Sequence, residues 1–420
     1  MKATLITPFI SHLPSHPGSY LGYGTSILKK NCETDVIDLN AEIHFKHRAR
    51  LKDILSSIDV HSFVVDNLFF DNFYHQLSGD LDEEAKQIPW SDYQEIFITT
   101  PSWFVTVPTE EILRLYHLIK SASPETRVSF FGNSLGTWTD QRELKNHNIH
   151  IRHLNDLLEE NPVNGPVNYD ALPTPVYESR DKYLFDMLPF RLKHGCNWGQ
   201  CRFCSLARGW NAGYLERSSE RVIQELEALI DRYDPKMFVC RDNSLNGGNL
   251  LDFCNAFQEF NKPWAGMARA DLSLGEIQAL ERSGCRFVYF GLESGSDRVL
   301  REMNKGLDSR QMSHFVRTLY DHGIMPAPSV FVGSPGETEE DFKKTTDFIL
   351  DHVDYLDIIN IYPLMPSPAS DFTRTGQGPH ADAFSRLQEL IKVCRDSSLK
   401  VCVGEQSAEY VLFKKVYPGR

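Results

Sequence analysis

Along the first third of the chain, short runs rich in β-branched and aromatic residues alternate with stretches whose apolar positions recur at helical spacing. ATLITP (3–8), TDVIDL (34–39), EIFITT (95–100) and RVSFFG (127–132) read as strands, and the segment from Tyr20 to Asn31 reads as a helix. Strand followed by helix, repeated, predicts a doubly wound parallel sheet. Between the second and third strands an insertion over about 47–90, rich in Phe, Leu, His and Asp, reads as extra helices. The proline-marked passage NPVNGPVNYDALPTP (161–175) has turn residues and no sustained period, which places an interdomain linker there.

After the linker the alternation becomes shorter and more regular. Strand candidates are PFRLKHG (189–195), KMFVC (236–240), WAGMARA (264–270), RFVYFG (286–291), APSVFVG (327–333) and LDIINIYP (356–363). Helical patterns fill the gaps. In SSERVIQELEALIDRY (218–233), Val222, Leu226, Leu229 and Ile230 share one face, and Ser218 or Ser219 caps the start. Six strand-helix repeats predict a partial (β/α)6 barrel, in which reactive groups gather at the carboxyl ends of the strands. A helix over 380–397, one short strand and a tail complete the pattern. The division predicted is an α/β chain with a Rossmann-like domain over 1–175, a barrel core over 176–370 and a C-terminal helix and tail over 371–420.

Composition narrows the class. The chain has 420 residues, 41% of them apolar and 24% charged, which is the profile of a soluble globular protein with about two or three domains. No run approaches the roughly 18 unbroken apolar residues of a membrane span, and the opening MKATLITPFI lacks the long apolar centre of a secretory signal. A formal charge of -13 repels a polyanion, so no nucleic-acid partner is expected. The nine cysteines are an odd number and six of them stand singly, which favours a reducing cytoplasm over a disulfide framework.

The other three, Cys196, Cys201 and Cys204, lie in RLKHGCNWGQCRFCSLARGW (191–210) on a glycine-containing loop after a strand. Thiolates spaced C-x4-C-x2-C can surround one metal centre. Three of them leave one iron of a cubane open for a small-molecule ligand, whereas a zinc site wants a fourth ligand, for which His194 stands close by. Spacing alone leaves zinc and iron-sulfur equally open.

The flanking sequence separates them. With an aromatic residue, Phe203, just before the last cysteine, the segment resembles the radical S-adenosylmethionine (SAM) superfamily. Within it, the closest likeness is to the class B methyltransferase-like branch with an N-terminal cobalamin-binding domain. The usual signature is C-x3-C-x2-C, and here the first spacing is one residue longer, as in parts of this branch. The resemblance continues in RDNSLNGG (241–248), ARADLS (268–273), RFVYFGLESGSDRVLREMNKG (286–306) and FVGSPGETEEDFKKT (331–345), each after a predicted strand and in the superfamily's order. It covers about 185–365 well and 1–175 loosely. It implies a four-iron, four-sulfur (4Fe-4S) cluster on Cys196, Cys201 and Cys204, SAM as a further cofactor, and an external electron donor of flavodoxin or ferredoxin type.

These motifs also have physical roles of their own. G-L-E-S-G-S (291–296) sets Glu293 and Ser294 at a strand's carboxyl end among small residues, where a carboxylate can hold an ammonium or ribose hydroxyls. The resemblance implies contact with SAM there, and the bland alternative is an acid capping the helix that follows. Gly333, Pro335 and Gly336, with Glu337, form a turn whose small residues let backbone groups approach an adenine, although turn geometry alone explains glycines equally. Asp242 and Arg269 end strands as charged residues that either contact SAM or substrate or form a salt bridge lining the barrel.

In the first domain the strand ends are TPFISHLPSHPGSYLGYG (7–24), TTPSWF (99–104) and FGNSLG (131–136). Thr100, Ser102 and Gly132 are the cofactor candidates there, since a doubly wound sheet binds ligands beyond its strand ends. Their positions match the branch's cobalamin-binding domain. The D-x-H-x-x-G cobalt-ligand motif is absent, because His12 and His16 lack the required Asp and spacing. Gly22-Tyr23-Gly24 lacks the third glycine of a dinucleotide fingerprint. A module that binds nothing is the alternative.

The resemblance implies reductive cleavage of SAM and cobalamin-dependent methylation of an unactivated carbon on a small-molecule or peptide substrate. The alternatives are a SAM-radical rearrangement or cyclisation without methyl transfer, and a non-enzymatic zinc or iron-sulfur protein. Methylthiotransferases of the superfamily carry three further cysteines in the N-terminal domain, where this chain has only Cys32.

Overall fold

The computed structural model describes residues 2–8, 16–49, 82–99, 109–131, 141–152, 169–204, 206, 214–367, 370–402, 413 and 415–417. The chain divides into two units. One runs as far as Pro189 and takes in Gln224–Pro235; the other contains Phe190–Ile223 and Lys236–Arg420.

The first unit is built on a five-stranded sheet of β1 (Lys2–Thr7), β2 (Glu33–Asp38), β3 (Glu95–Thr99), β4 (Arg127–Phe131) and β5 (His150–Arg152), in the order β2-β1-β3-β4-β5. Every pairing is parallel, as expected of strands linked by helices. The interior positions of β1 and β3 (Ala3, Leu5, Ile6, Ile96, Phe97 and Ile98) are buried, the near-continuous apolar run of a sheet covered on both faces. The expected extra helices of the 47–90 insertion fall largely outside the described residues.

The second unit carries a seven-stranded sheet in the order β14-β13-β12-β11-β10-β9-β6. Its members are β6 (Met187–Phe190), β9 (Met237–Cys240), β10 (Trp264–Ala268), β11 (Cys285–Glu293), β12 (Met325–Val332), β13 (Ile358–Pro363) and β14 (Lys400–Cys402). Sequential neighbours from β9 to β14 pair in parallel. Six of these strands are the barrel strands read from the pattern, and β14 is the short strand expected after the last helix. Phe190, Phe253, Phe257 and Trp264 form an aromatic core, with ring centroids 5.3–6.3 Å apart. The helix Ser219–Tyr233 starts where its Ser218 hydroxyl accepts from Arg221 N at 3.3 Å.

One expected strand divides. PFRLKHG breaks after Phe190, because Leu192 N donates to Asp242 Oδ2 at 2.9 Å instead of continuing the ladder. Lys193–His194 then form β7, which pairs antiparallel with β8 (Leu215–Glu216) as a separate two-stranded ribbon.

Candidate functional site

The three clustered cysteines follow β7 on a loop that turns through Gly195 (φ 78°) and Gly199 (φ 55°), left-handed conformations suited to glycine. All three thiols are half-buried. Burial pushes Cys201 up to about 11 and Cys204 up to about 12, although Lys305 and Arg269 pull Cys201 down and a hydrogen bond from the backbone of Leu206 pulls Cys204 down. Cys201 and Cys204 therefore stay protonated until a metal takes them as thiolates. Cys201 is felt by Cys204 and Cys196 by both, yet among the described residues no group of three His, Cys, Asp or Glu side chains forms a ready site for a single ion.

A distant segment, Glu302–Gly306, holds this loop in place. Arg202 N donates to Met303 O at 2.9 Å, Trp198 Nε1 to Asn304 O at 2.9 Å, and Asn304 Nδ2 back to Gln200 O at 2.9 Å. Gly306 is left-handed (φ 71°), and a methyl group on it would collide with the Trp198 ring. Phe203 meets Phe331 edge-on at 5.2 Å and packs on Val299, Met303, Leu364 and Phe372. Its ring thus anchors the loop to the barrel wall.

Glu293 ends β11 at a register shift and, though not glycine, has φ 62°. Such a conformation costs about 1–3 kcal/mol and persists where packing dictates it. The residue is 5% exposed; its Oε1 accepts from Lys305 Nζ at 2.7 Å, and its Oε2 is buried with no hydrogen-bond partner among the described residues. It does not cap the following helix, whose N-cap is Ser296. Ser294 is taken up structurally: its hydroxyl lies 2.9 Å from Thr345 Oγ1 and accepts from Ser296 N at 3.1 Å.

Asp242 is buried and accepts from Leu192 N, while Arg191 Nε stands 3.6 Å from its other oxygen. Burial raises its pKa against the pull of Arg191. Arg269 donates to Asp271 at 3.3 Å and to Lys305 O at 3.1 Å, with its guanidinium 4.8 Å from the Trp198 ring centre. Both make the barrel-lining ion pairs that were the bland alternative. Arg269 also touches the loop that carries the cysteines.

At the turn after β12, Gly333 N donates to Glu337 Oε2 at 2.8 Å and Gly333 O accepts from His380 N at 2.8 Å. A side chain there would collide with Ala383 of the helix Ala383–Asp396. Gly333 is thus fixed by packing, and its own backbone groups are spent. Pro335 is half-buried and Gly336 exposed, with Gly336 O accepting from Arg298 at 2.6 Å. Glu337 and Ser334 each keep a buried oxygen, Oε1 and Oγ, without a partner among the described residues.

In the first unit, strand order reverses between β1 and β3, the switch point where such sheets bind ligands. Thr7, ending β1, and Ser19, opening the helix Ser19–Asn31, are buried there with hydroxyls lacking a partner among the described residues. Thr100, Ser102 and Gly132 lie outside the described residues.

Lys305, Trp198, Asn304 and Arg386 are site residues that sequence reasoning passed over.

Residues 191–349 match the Radical SAM superfamily. An uncharacterized methyltransferase of Pyrococcus horikoshii is 31% identical over 191 residues, 43% of this chain and 41% of that protein, so the chain spans less than half of that relative's length. The radical SAM methyltransferase TsrM from Kitasatospora setae, solved with cobalamin and a [4Fe-4S] cluster, superposes with a TM-score of 0.58 at 13% identity, covering 89% of this chain and 77% of that one. OxsB, a cobalamin-dependent SAM radical enzyme, superposes with a TM-score of 0.61 at 13% identity, over 99% and 61%. At that identity the likeness shows the shared fold.

Proposed function

We propose, from the premise that residues 191–349 are the radical SAM domain of an enzyme of that superfamily, that this chain methylates an unactivated carbon with the help of cobalamin. Cys196, Cys201 and Cys204 would hold a 4Fe-4S cluster and Glu293 would hold SAM. When bound, the three cofactors supply the electron, the hydrogen abstraction and the methyl group that an inert C–H bond demands and no side chain can provide.

The observation that carries this reading is the frame shared by the cysteine loop and Glu293. The segment Glu302–Gly306 that pins the loop also brings Lys305 to the Glu293 carboxylate. The donors fit the groups. Three thiols on one loop leave a cubane iron open, and the orphaned Glu293 Oε2 awaits a donor such as an ammonium or a ribose hydroxyl. For cobalamin, the orphaned hydroxyls of Thr7 and Ser19 at the switch point suit a large polar cofactor.

The chain's own residues bind, orient and exclude water. Lys305 Nζ donates to one oxygen of Glu293, and the other is left without a partner among the described residues. Phe203 and Phe331 keep the loop's inner face apolar. A substrate of small-molecule or peptide class and an external electron donor complete the reading.

Anaerobically reconstituted protein should hold iron and sulfide with a broad absorbance near roughly 400 nm. Replacing all three cysteines by Ala should abolish it, and Cys32→Ala should not. One equivalent of zinc without sulfide would overturn the cluster. SAM with a deuterated methyl group then tests the reaction, since unlabelled product would mean rearrangement or cyclisation instead of methylation.

A further inference from the structure

Lys193 sits in β7 opposite Glu216 of β8, three residues before Cys196 and beyond the carboxyl end of β6. A cross-strand Lys-Glu pair on an exposed ribbon would ordinarily bridge. Here it does not. Glu216 instead accepts from Gly248 N at 2.8 Å, from Asn249 N at 3.1 Å and from the Tyr214 hydroxyl. The other nearby carboxylate, Asp242, accepts from Leu192 N at 2.9 Å and faces Arg191.

Both carboxylates are therefore claimed by other donors. Lys193 is 1% exposed, and its Nζ has no hydrogen-bond partner among the described residues. Burial draws its pKa down, against the pull of Asp242 and Glu216. A buried ammonium with three unused N–H donors is a standing cost to the fold, and such a cost persists where a ligand relieves it.

A methyl group on Gly247 would collide with Lys193 Nζ, the Tyr214 hydroxyl and Glu216 Oε1, so three polar tips converge over a residue with no side chain. The single Tyr214 hydroxyl proton lies between Glu216 Oε1 and Asn246 O, the latter at 3.1 Å, and is spent within the cluster. Among the described residues of this cluster, Lys193 alone keeps donors without a partner. The cluster lies where the cysteine loop begins.

We propose that Lys193 is the anchor for an oxyanion, a carboxylate or phosphate group, carried by the substrate. This rests on the radical SAM reading of the same barrel and adds to it a substrate class: a molecule with an acidic group at a fixed distance from the carbon that reacts.

The test compares the reconstituted full chain with its Lys193→Met variant by thermal unfolding. Each is titrated with inorganic phosphate or acetate at ionic strength held constant with sodium chloride. Wild-type protein should gain thermal stability saturably with at least one of the two anions, which also tells phosphate from carboxylate. The variant should unfold at the same or a higher temperature without anion, and its response should fall at least ten-fold in apparent affinity. A lower unfolding temperature for Lys193→Met, or its failure to fold, would make Lys193 a structural counter-ion and overturn the proposal. So would a wild-type protein indifferent to both anions.

Binding of SAM and decarboxylated SAM is measured on both proteins. Loss of SAM but not decarboxylated SAM binding in Lys193→Met would assign the lysine to the cofactor's carboxylate and defeat the substrate assignment. Iron and sulfide content, measured separately, reports whether the cluster reading itself fails.

Discussion

Lys305 Nζ donates to Glu293 Oε1 at 2.7 Å inside the barrel, yet Glu293 Oε2 has no hydrogen-bond partner among the described residues. One half of the carboxylate is neutralised by the protein and the other half is left for something else. A fully structural ion pair of such burial would be satisfied on both sides.

Glu293→Ala should therefore weaken SAM binding by roughly ten- to a hundred-fold while leaving iron and sulfide unchanged, since removal of a charged hydrogen-bond partner costs about 1.5–3 kcal/mol. Equilibrium dialysis of SAM against reconstituted protein measures it. Unchanged affinity would confine Glu293 to pairing with Lys305. The variant also strands Lys305, so Glu293→Ala/Lys305→Met should recover stability without recovering affinity.

Gly306→Ala should loosen the cysteine loop from a distance. The left-handed φ of 71° alone costs an alanine about 1–2 kcal/mol, and the added methyl collides with Trp198. Reconstituted variant should retain native helicity but lose iron faster to a chelator than wild-type protein. Equal rates would show that the Trp198 contact does not hold the loop.

Arg386 reaches from the C-terminal helix to the turn after β12. Its Nη1 donates to Glu337 Oε2 at 2.7 Å and to Glu337 O at 3.2 Å, and both partners are buried. Arg386→Ala should cost about 3–5 kcal/mol in chemical denaturation, because it leaves a buried carboxylate with Gly333 N as its donor. Arg386→Met/Glu337→Gln should restore much of that loss. A cost below about 1 kcal/mol for the single variant would mean the pair is dispensable to the turn.

His44, in the helix Leu39–Lys46, is buried and donates through Nδ1 to Asn40 O at 2.7 Å. Burial pulls its imidazole down from 6.5 to about 4. The folded value lies below the unfolded one, so the unfolded chain takes up the proton first on acidification. Its contribution is complete above about pH 6.5 and drains away as pH falls toward 4. Between pH 7.5 and 5, wild-type protein should lose about 2 kcal/mol more in urea unfolding than His44→Gln. Parallel losses would exclude His44 as a source of acid sensitivity.

The cysteine spacing and the alternation of strands and helices in both units, apart from the short β5, were legible in the chain because each depends on near neighbours. Periodicity, caps and turn residues act over a few positions. Ser218 capping its helix and Glu293 ending its strand among small residues are of that kind. The conformations that depended on distant partners were not legible. PFRLKHG reads as one strand, and only Asp242, fifty positions away, withdraws Leu192 N from the ladder and turns Lys193 into a separate ribbon. Gly333 reads as a place for backbone to meet a ligand, and the approach of Ala383 shows it to be a packing glycine. The spacing of a motif determines which atoms a loop can offer. Whether a lysine finds its carboxylate, as Lys305 does and Lys193 does not, is decided by which donors the rest of the fold has already brought to that carboxylate, and this information exists only once the strands stand side by side.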